Sequence, residues 1–230
     1  MKKIGLVGGT SWTSTVDYYR YINEAVNSRL GGFHAAECIL YSVNFETFKT
    51  FNAAHDWNST CALLSHAALQ LKAAGADMIV LCANTSHMVA ERVEEKVDLP
   101  LIDIRIATAN AIRRQNLRTV GLLGTVYTME LPFYRDKLRG LGIDAIVPAL
   151  QQDRNFIEDS VLELGKGIVN TAHKSRYLDI IHGLMQQGAE GIILGCTEIP
   201  LLLSQADCSI PVFNTTQIHA QAAVDYALSN

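Results

Sequence analysis

An internal duplication constrains the fold of this 230-residue chain more than any other feature of its sequence. Three blocks each occur twice, in the same order and at separations of 111 to 116 residues. KKIGLVGGTSWTSTVDYYR corresponds to RTVGLLGTVYTMELPFYR, GADMIVLCANTSH to GAEGIILGCTEIP, and LPLIDIRIATANAI to IPVFNTTQIHAQAAV. Chance could explain one such block but hardly three in register, so we interpret the chain as a duplicated unit.

The local patterns predict that this unit is an α/β domain. IGLV, MIVL, TVGLL and GIIL are short apolar runs bounded by glycine, which is typical of strands buried on both faces of a parallel sheet. Helix-like segments such as NSTCALLSHAALQLKAAG lie between them, and strands that alternate with helices indicate parallel sheets. We therefore expect two pseudo-twofold-related parallel-sheet domains with the active site in the cleft between them. The first should comprise residues 1–98 and 209–230 and the second residues 99–208, because the third repeated block suggests that each final helix crosses to the other half.

Composition excludes several classes of protein. The net charge of −4 and the lack of a Lys/Arg-rich run argue against binding to nucleic acid. No apolar stretch approaches the roughly 18 to 20 residues of a membrane span, and the N-terminus lacks the pattern of a signal peptide. The five cysteines form an odd, scattered set without a CxxC, which favours reduced thiols in the cytoplasm over a disulfide framework or a metal site.

Polar clusters follow the predicted strands, where ligands bind in open α/β sheets. These clusters are GGTSWTS, CANTSH, GTVYT and GCTEIP. The first lacks both GxGxxG spacing and a GK[ST] ending, so we interpret it as a tight turn whose N–H groups can also hold a small anion. In the ungapped second block, Ala83 corresponds to Cys196. Two related halves that face each other would place these residues on opposite walls of one cleft.

Cys196 is the strongest candidate for a reactive group. It follows directly after a strand and precedes an expected helix start, a placement that lowers the pKa of a thiol. We interpret Cys38, Cys61 and Cys208 as packing residues without a chemical role. We expect His87 to cap a helix or to pack rather than to change the pKa of a thiol. Asn84-Thr85 and Thr197-Glu198 occupy corresponding positions after their strands, where helix capping and ligand binding are both open.

GGTSWTST, CANTSH, ELGKG and GCTEIPLL, in this order, resemble the cofactor-independent aspartate/glutamate racemases over essentially the whole chain. The resemblance implies two cysteines on opposite faces of the substrate's α-carbon, one removing a proton and the other returning one. It places the second at Cys196 and the first at position 83, where this chain has Ala83. Cys82 is a poor substitute, because neighbouring side chains of a strand point to opposite faces. The resemblance implies that the protein uses neither pyridoxal phosphate nor a metal. It also implies a homodimer.

The resemblance also assigns substrate-binding residues. Ser11, Asn84, Thr85 and Thr197 correspond to donors to the α-carboxylate and amino group, and Thr125, Tyr127 and Thr128 to residues that line the cleft. Lys166 resembles a lysine that reaches a side-chain carboxylate, although a solvated cation at a helix end fits the sequence equally well. Glu198, included among the substrate-binding positions, occurs where glutamate racemases usually have histidine, so the chain is similar to the aspartate racemase branch.

These observations predict a racemase of aspartate or glutamate that is impaired or selective for the L enantiomer. Three explanations of Ala83 remain open: an introduced substitution, a natural residue with water, Thr85 or Ser86 returning the proton, or one-sided chemistry as in the related single-cysteine arylmalonate decarboxylases. A non-catalytic protein that binds small acids is a further alternative.

Overall fold

The computed structural model describes residues 1–229, which contain two four-stranded parallel sheets with helices. The chain divides into two compact units. One comprises Met1–Ile104 and the C-terminal segment that begins at His219, and the other comprises Arg105–Ile218. Within residues 1–229, no helix is both long enough and apolar enough to cross a membrane.

The first unit contains the strands in the order β2-β1-β3-β4. These strands are β1 (Ile4–Gly8), β2 (Cys38–Ser42), β3 (Met78–Leu81) and β4 (Leu101–Ile102). The helices between them are α1 (Trp12–Leu30), α2 (Phe45–Ala53), α3 (Trp57–Ala73) and α4 (Ala90–Val97), with a 3-10 helix at Thr85–Val89. Helix α5 (Ile104–Arg114) then leads into the second unit.

The second unit repeats this arrangement with the order β6-β5-β7-β8. Its strands are β5 (Thr119–Gly124), β6 (Asp144–Ile146), β7 (Ile192–Gly195) and β8 (Val212–Asn214). Its helices are α6 (Val126–Glu130), α7 (Pro132–Gly140), α8 (Gln151–Gly165) and α9 (His173–Gln186), with 3-10 helices at Ile199–Leu201 and Gln205–Asp207; α10 (Thr215–Leu228) follows. The equivalent strand orders confirm the prediction of two parallel-sheet α/β domains.

The burial of β3 shows why its sequence is continuously apolar. All four residues of the strand are buried. Ile79 and Leu81 pack into a cluster with α3 and α4. Val80 packs with α1 and α10 on the opposite face of the sheet. Alternate side chains of a strand point to opposite faces, so a strand covered by helices on both sides needs an apolar residue at every position.

The division between the units differs from the boundaries expected at residues 98/99 and 208/209. Leu101–Ile102 pair with β3 and complete the first sheet. Val212–Asn214 pair in parallel with β7 and complete the second sheet. Each repeated third block thus begins with the last strand of its own sheet, and the division falls after that strand, at Ile104 and within α10.

Candidate functional site

Cys196 follows the end of β7, next to the end of β5. Gly124 and Gly195 are register partners at these two strand ends. A Cβ on Gly124 would lie 2.8 Å from the carbonyl oxygen of Gly195, so the close approach of the strands requires glycine there. The neighbouring strand ends therefore bring the segments that begin at Thr125 and Cys196 together. Cys196 itself is 7% exposed.

The carboxylate of Glu198 accepts two hydrogen bonds from the residues before it. Its Oε2 lies 2.9 Å from the Sγ of Cys196 and 2.7 Å from the Oγ1 of Thr197. All three residues are buried. A buried carboxylate in contact with a thiol forms an acid/base pair in which the proton can move from sulfur to oxygen. Glu198 and Thr197 were expected to bind substrate, which stays a prediction; in the structure Glu198 contacts the thiol and Thr197 contacts Glu198.

The pKa of the Cys196 thiol is raised well above its ordinary value, which contradicts the lowering expected from sequence. Burial is the main cause and the charge of Glu198 is the second. The expectation assumed a helix whose N-terminus would stabilise the thiolate. The structure instead has only the three-residue 3-10 helix Ile199–Leu201 there, and such a turn supplies little dipole. The resting residue is therefore a thiol that donates to Glu198.

Position 83 in the first unit carries no acid/base group. Ala83 is the second residue after β3, whereas Cys196 is the first after β7, and Ala83 is 8% exposed. Cys82 is fully buried in the cluster formed by α1, α10 and the first sheet, where burial raises the pKa of its thiol. Ser86, which we considered as a proton donor, has a buried Oγ without a hydrogen-bond partner among the described residues.

His87 holds the turn at Ala83 in place. Its Nδ1 lies 2.9 Å from the carbonyl oxygen of Ala83, and its Nε2 accepts the N–H of Ile104 at 3.2 Å. An amide N–H can only donate, so Nε2 must be the acceptor and Nδ1 carries the proton. This neutral, fully buried ring packs edge-on against His219, whose Nδ1 lies 2.7 Å from the Tyr18 hydroxyl. His87 thus packs and holds the turn, in line with the expectation that it would cap or pack rather than act on a thiol.

The remaining candidates of the first unit lie at the ends of β1 and β3, which are adjacent strands. Gly9 has a φ of 79°, and a Cβ there would lie 2.1 Å from the carbonyl oxygen of Val43, so the turn after β1 requires glycine. Ser11 precedes α1 without a side-chain capping bond, and its Oγ lies 2.8 Å from that of Thr13. Asn84 is buried at the start of the 3-10 helix and Thr85 is half-buried.

The remaining candidates of the second unit surround the N-terminus of α6. Thr125 accepts a hydrogen bond from the N–H of Thr128, and the two hydroxyls lie 3.2 Å apart. Capping is therefore one role of Thr125. Tyr127 is half-buried and its pKa is raised, by burial first and by Glu158 second. Glu158 was missed in the sequence, where it is one acidic residue of an amphipathic helix.

Lys166 lies at the C-terminal end of α8 and is exposed. Eight residues separate it from Glu158, which corresponds to about 12 Å along the helix axis. This position fits the description of a solvated cation at a helix end. Its part in binding a substrate carboxylate stays a prediction.

Within residues 1–229 there is also no cluster of three or more His, Cys, Asp or Glu side chains that could hold a metal ion.

The chain thus has two parallel-sheet α/β units and a buried thiol–carboxylate pair at the end of one strand. The sequence profile of the family described as Asp/Glu/hydantoin racemase matches residues 7–223, so the chain belongs to this family. A candidate Asp/Glu racemase from Yersinia pestis has 48% identity and a TM-score of 0.92, with 100% of both chains covered. An aspartate racemase homologue from Pyrococcus horikoshii has 35% identity and a TM-score of 0.88, again with 100% coverage of both.

A curated relative with a named activity matches over a shorter range. The glutamate racemase of Streptococcus agalactiae is 32% identical over 127 residues, which are 54% of this chain and 46% of the relative. The chain thus matches about half the length of that enzyme. The comparisons together support amino-acid racemase activity at the level of the family.

Proposed function

We propose that this protein racemises aspartate or glutamate without a cofactor, by thiol acid/base chemistry at the α-carbon, and that Ala83 makes it slow and selective for the L enantiomer. The observation that carries the proposal is the buried contact between the Cys196 thiol and the Glu198 carboxylate. The glutamate racemase and the aspartate racemase homologue named above support the acidic substrate class.

The contact supplies a route for the proton. Cys196 acts as a base only as the thiolate, and the Oε2 of Glu198 is placed to accept the proton as the thiolate forms and to release it to solvent. The thiolate then removes the α-proton of the substrate, leaving a planar carbanion and a neutral thiol. Return of a proton to the same face restores the starting enantiomer. Inversion requires a proton from the opposite face.

Position 83 corresponds by the internal repeat to the residue that would supply the opposite face, and a methyl group there can neither donate nor accept a proton. The family resemblance assigns the cysteine of the second half to the L enantiomer. Deprotonation should therefore be confined to L substrates. Inversion should depend on a poorly placed donor such as water or Thr85.

Hydrogen exchange in D₂O tests the proposed function directly. L-Aspartate or L-glutamate should exchange its α-hydrogen for deuterium while keeping its configuration. The D enantiomer should largely keep its α-hydrogen unexchanged. Mass spectrometry gives the deuterium content, and chiral chromatography gives the enantiomer ratio. Rapid racemisation of both enantiomers would show that another group replaces the missing acid/base residue. A complete lack of exchange would leave a protein that binds small acids without turning them over.

Replacing Lys166 with Ala tests the assignment to acidic substrates. If the ammonium group contacts the side-chain carboxylate, the variant should bind aspartate and glutamate more weakly by about tenfold, the scale of a charge-assisted hydrogen bond, and should bind alanine unchanged. Calorimetry on both ligand classes provides the measurement. Lys96→Ala is a matched control, because Lys96 is also an exposed lysine at the end of a helix. Equal losses for both ligand classes would remove Lys166 from the site.

Cys196, with no acid/base group at position 83 to match it, also favours a second function, the decarboxylation of a small disubstituted malonate. In that reaction the carbanion arises by loss of carbon dioxide, and one thiol suffices because protonation takes place on one face only. Release of carbon dioxide from an arylmalonate, without α-hydrogen exchange of any amino acid, would establish this alternative.

A further inference from the structure

Glu158 connects α8 to the segment that follows β5. It is half-buried, and its Oε2 accepts the backbone N–H of Val126 at 2.8 Å. Val126 is the first residue of α6, the short helix that carries Tyr127 and Thr128. The N–H groups of a helix's first turn have no partner within the helix, and here the carboxylate of Glu158 satisfies one of them. The segment beside Cys196 is thereby tied to α8.

The same helix packs against the surroundings of Cys196. Ile157 and Val161, which flank Glu158 on α8, belong to the apolar cluster that contains Cys196 and Tyr177. The segments after β5 and β7 are adjacent because Gly124 pairs with Gly195. Glu158 therefore lies next to the strand ends that carry the thiol.

The titratable groups that face Cys196 are acids. Glu198 belongs to its own segment, Glu158 comes from α8, and Tyr177 comes from α9. Burial raises the pKa of the thiol most, and the charges of Glu198 and, to a smaller extent, Glu158 add to the effect. The pKa of Glu158 is itself raised, by burial first and then by the charges of Asp159 and of Glu130 in α6, while the N–H of Val126 acts in the opposite direction. Glu130 is itself paired with Arg154 at 2.9 Å.

We propose that Glu158 is a positioning residue of the Cys196 site: it fixes the start of α6 through the N–H of Val126, and it places a negative charge next to the strand end that carries the thiol. The inference concerns the thiol whether or not the chain racemises an amino acid. Its consequence for catalysis, a dependence of α-hydrogen exchange on residue 158, rests on the proposed function.

Glu158→Gln separates the two roles. The amide oxygen of glutamine can still accept the N–H of Val126, whereas the charge is lost. Without that charge the thiolate is less disfavoured, so the pKa of Cys196 should fall and more thiolate should exist at any pH below it. At pH 8 the alkylation rate of Cys196 by iodoacetamide should rise by about two- to fivefold, because Glu158 raises the pKa of the thiol less than burial and Glu198 do.

The measurement is the pH profile of alkylation, resolved by peptide so that Cys196 is followed separately from the other cysteines. Cys208, half-buried in the same unit, is the internal reference and should not respond. Asp159→Asn is the matched control, because it removes the same charge from the next residue of α8, which is exposed. Its profile should stay at that of the wild type.

Glu158→Met is a second uncharged variant of similar size, which also lacks the acceptor for Val126. Both variants, checked for folding by circular dichroism, should shift the Cys196 profile to lower pH. The methionine variant should in addition raise KM in the exchange reaction, because α6 is no longer held. The proposal is wrong if either folded variant keeps the wild-type alkylation profile, or if Asp159→Asn shifts it equally. Loss of exchange with a shifted profile would count against the proposed function alone.

Discussion

Replacing Ala83 with Cys should raise the rate of racemisation by about 10²–10⁴ in both directions, the usual contribution of a positioned acid or base. Ala83 is the second residue after β3, and it belongs to none of the buried apolar clusters of the first unit. It is 8% exposed. A thiol at this position would therefore lie in the turn after β3, outside those apolar clusters.

The change should also alter which substrate reacts. In the wild type only the L enantiomer should exchange its α-hydrogen, whereas in Ala83→Cys both enantiomers should exchange and invert. Ala74→Cys is a suitable control, since it adds an exposed thiol to the same unit and leaves position 83 unchanged. Time courses from each pure enantiomer, followed by circular dichroism, give both rates. An unchanged rate in a folded Ala83→Cys protein would contradict the assignment of position 83 to the reaction.

The fold could be predicted from the sequence because its determinants are local and repeated. The apolar run MIVL predicted β3, and GIIL predicted β7, since a strand covered on both faces has no polar position. Helix α3 was also predicted, and Asp56 caps its N-terminus. The unit boundaries were displaced because the short strands β4 and β8, two and three residues long, carry too little periodicity to be recognised.

The electrostatics of the site could not be predicted in this way. The pKa of Cys196 depends on its burial, on the contact with Glu198 and on Glu158 from a distant part of the chain. Sequence spacing places Glu198 two residues from Cys196 but does not say that its carboxylate turns back to the sulfur. A longer helix was also expected after Cys196. The chain forms only the 3-10 helix Ile199–Leu201 there, with Pro200 in its first turn.

Replacing Cys196 with Ala should abolish α-hydrogen exchange for every substrate. The thiol is the base in the proposed mechanism, and the carboxylate of Glu198 serves as the acceptor of the thiol proton. In the wild type the raised pKa of the thiol means that the thiolate is a minor species near neutrality. Exchange should therefore increase with pH, by up to about tenfold per unit below the thiol pKa, because the thiolate fraction grows in that proportion.

Two comparisons make the result specific to the thiol. Cys208→Ala removes another cysteine of the second unit and should exchange at the wild-type rate with the same pH dependence. Cys196→Ser keeps a similar shape and a proton on the side chain, but a serine hydroxyl is far less acidic than a thiol, so exchange should also be lost. If Cys196→Ala still exchanges the L enantiomer with the wild-type pH profile, the base is a different group and the thiol mechanism is excluded. Exchange in Cys196→Ala with a flat profile across neutral pH would instead identify a carboxylate, since Asp and Glu are already ionised there.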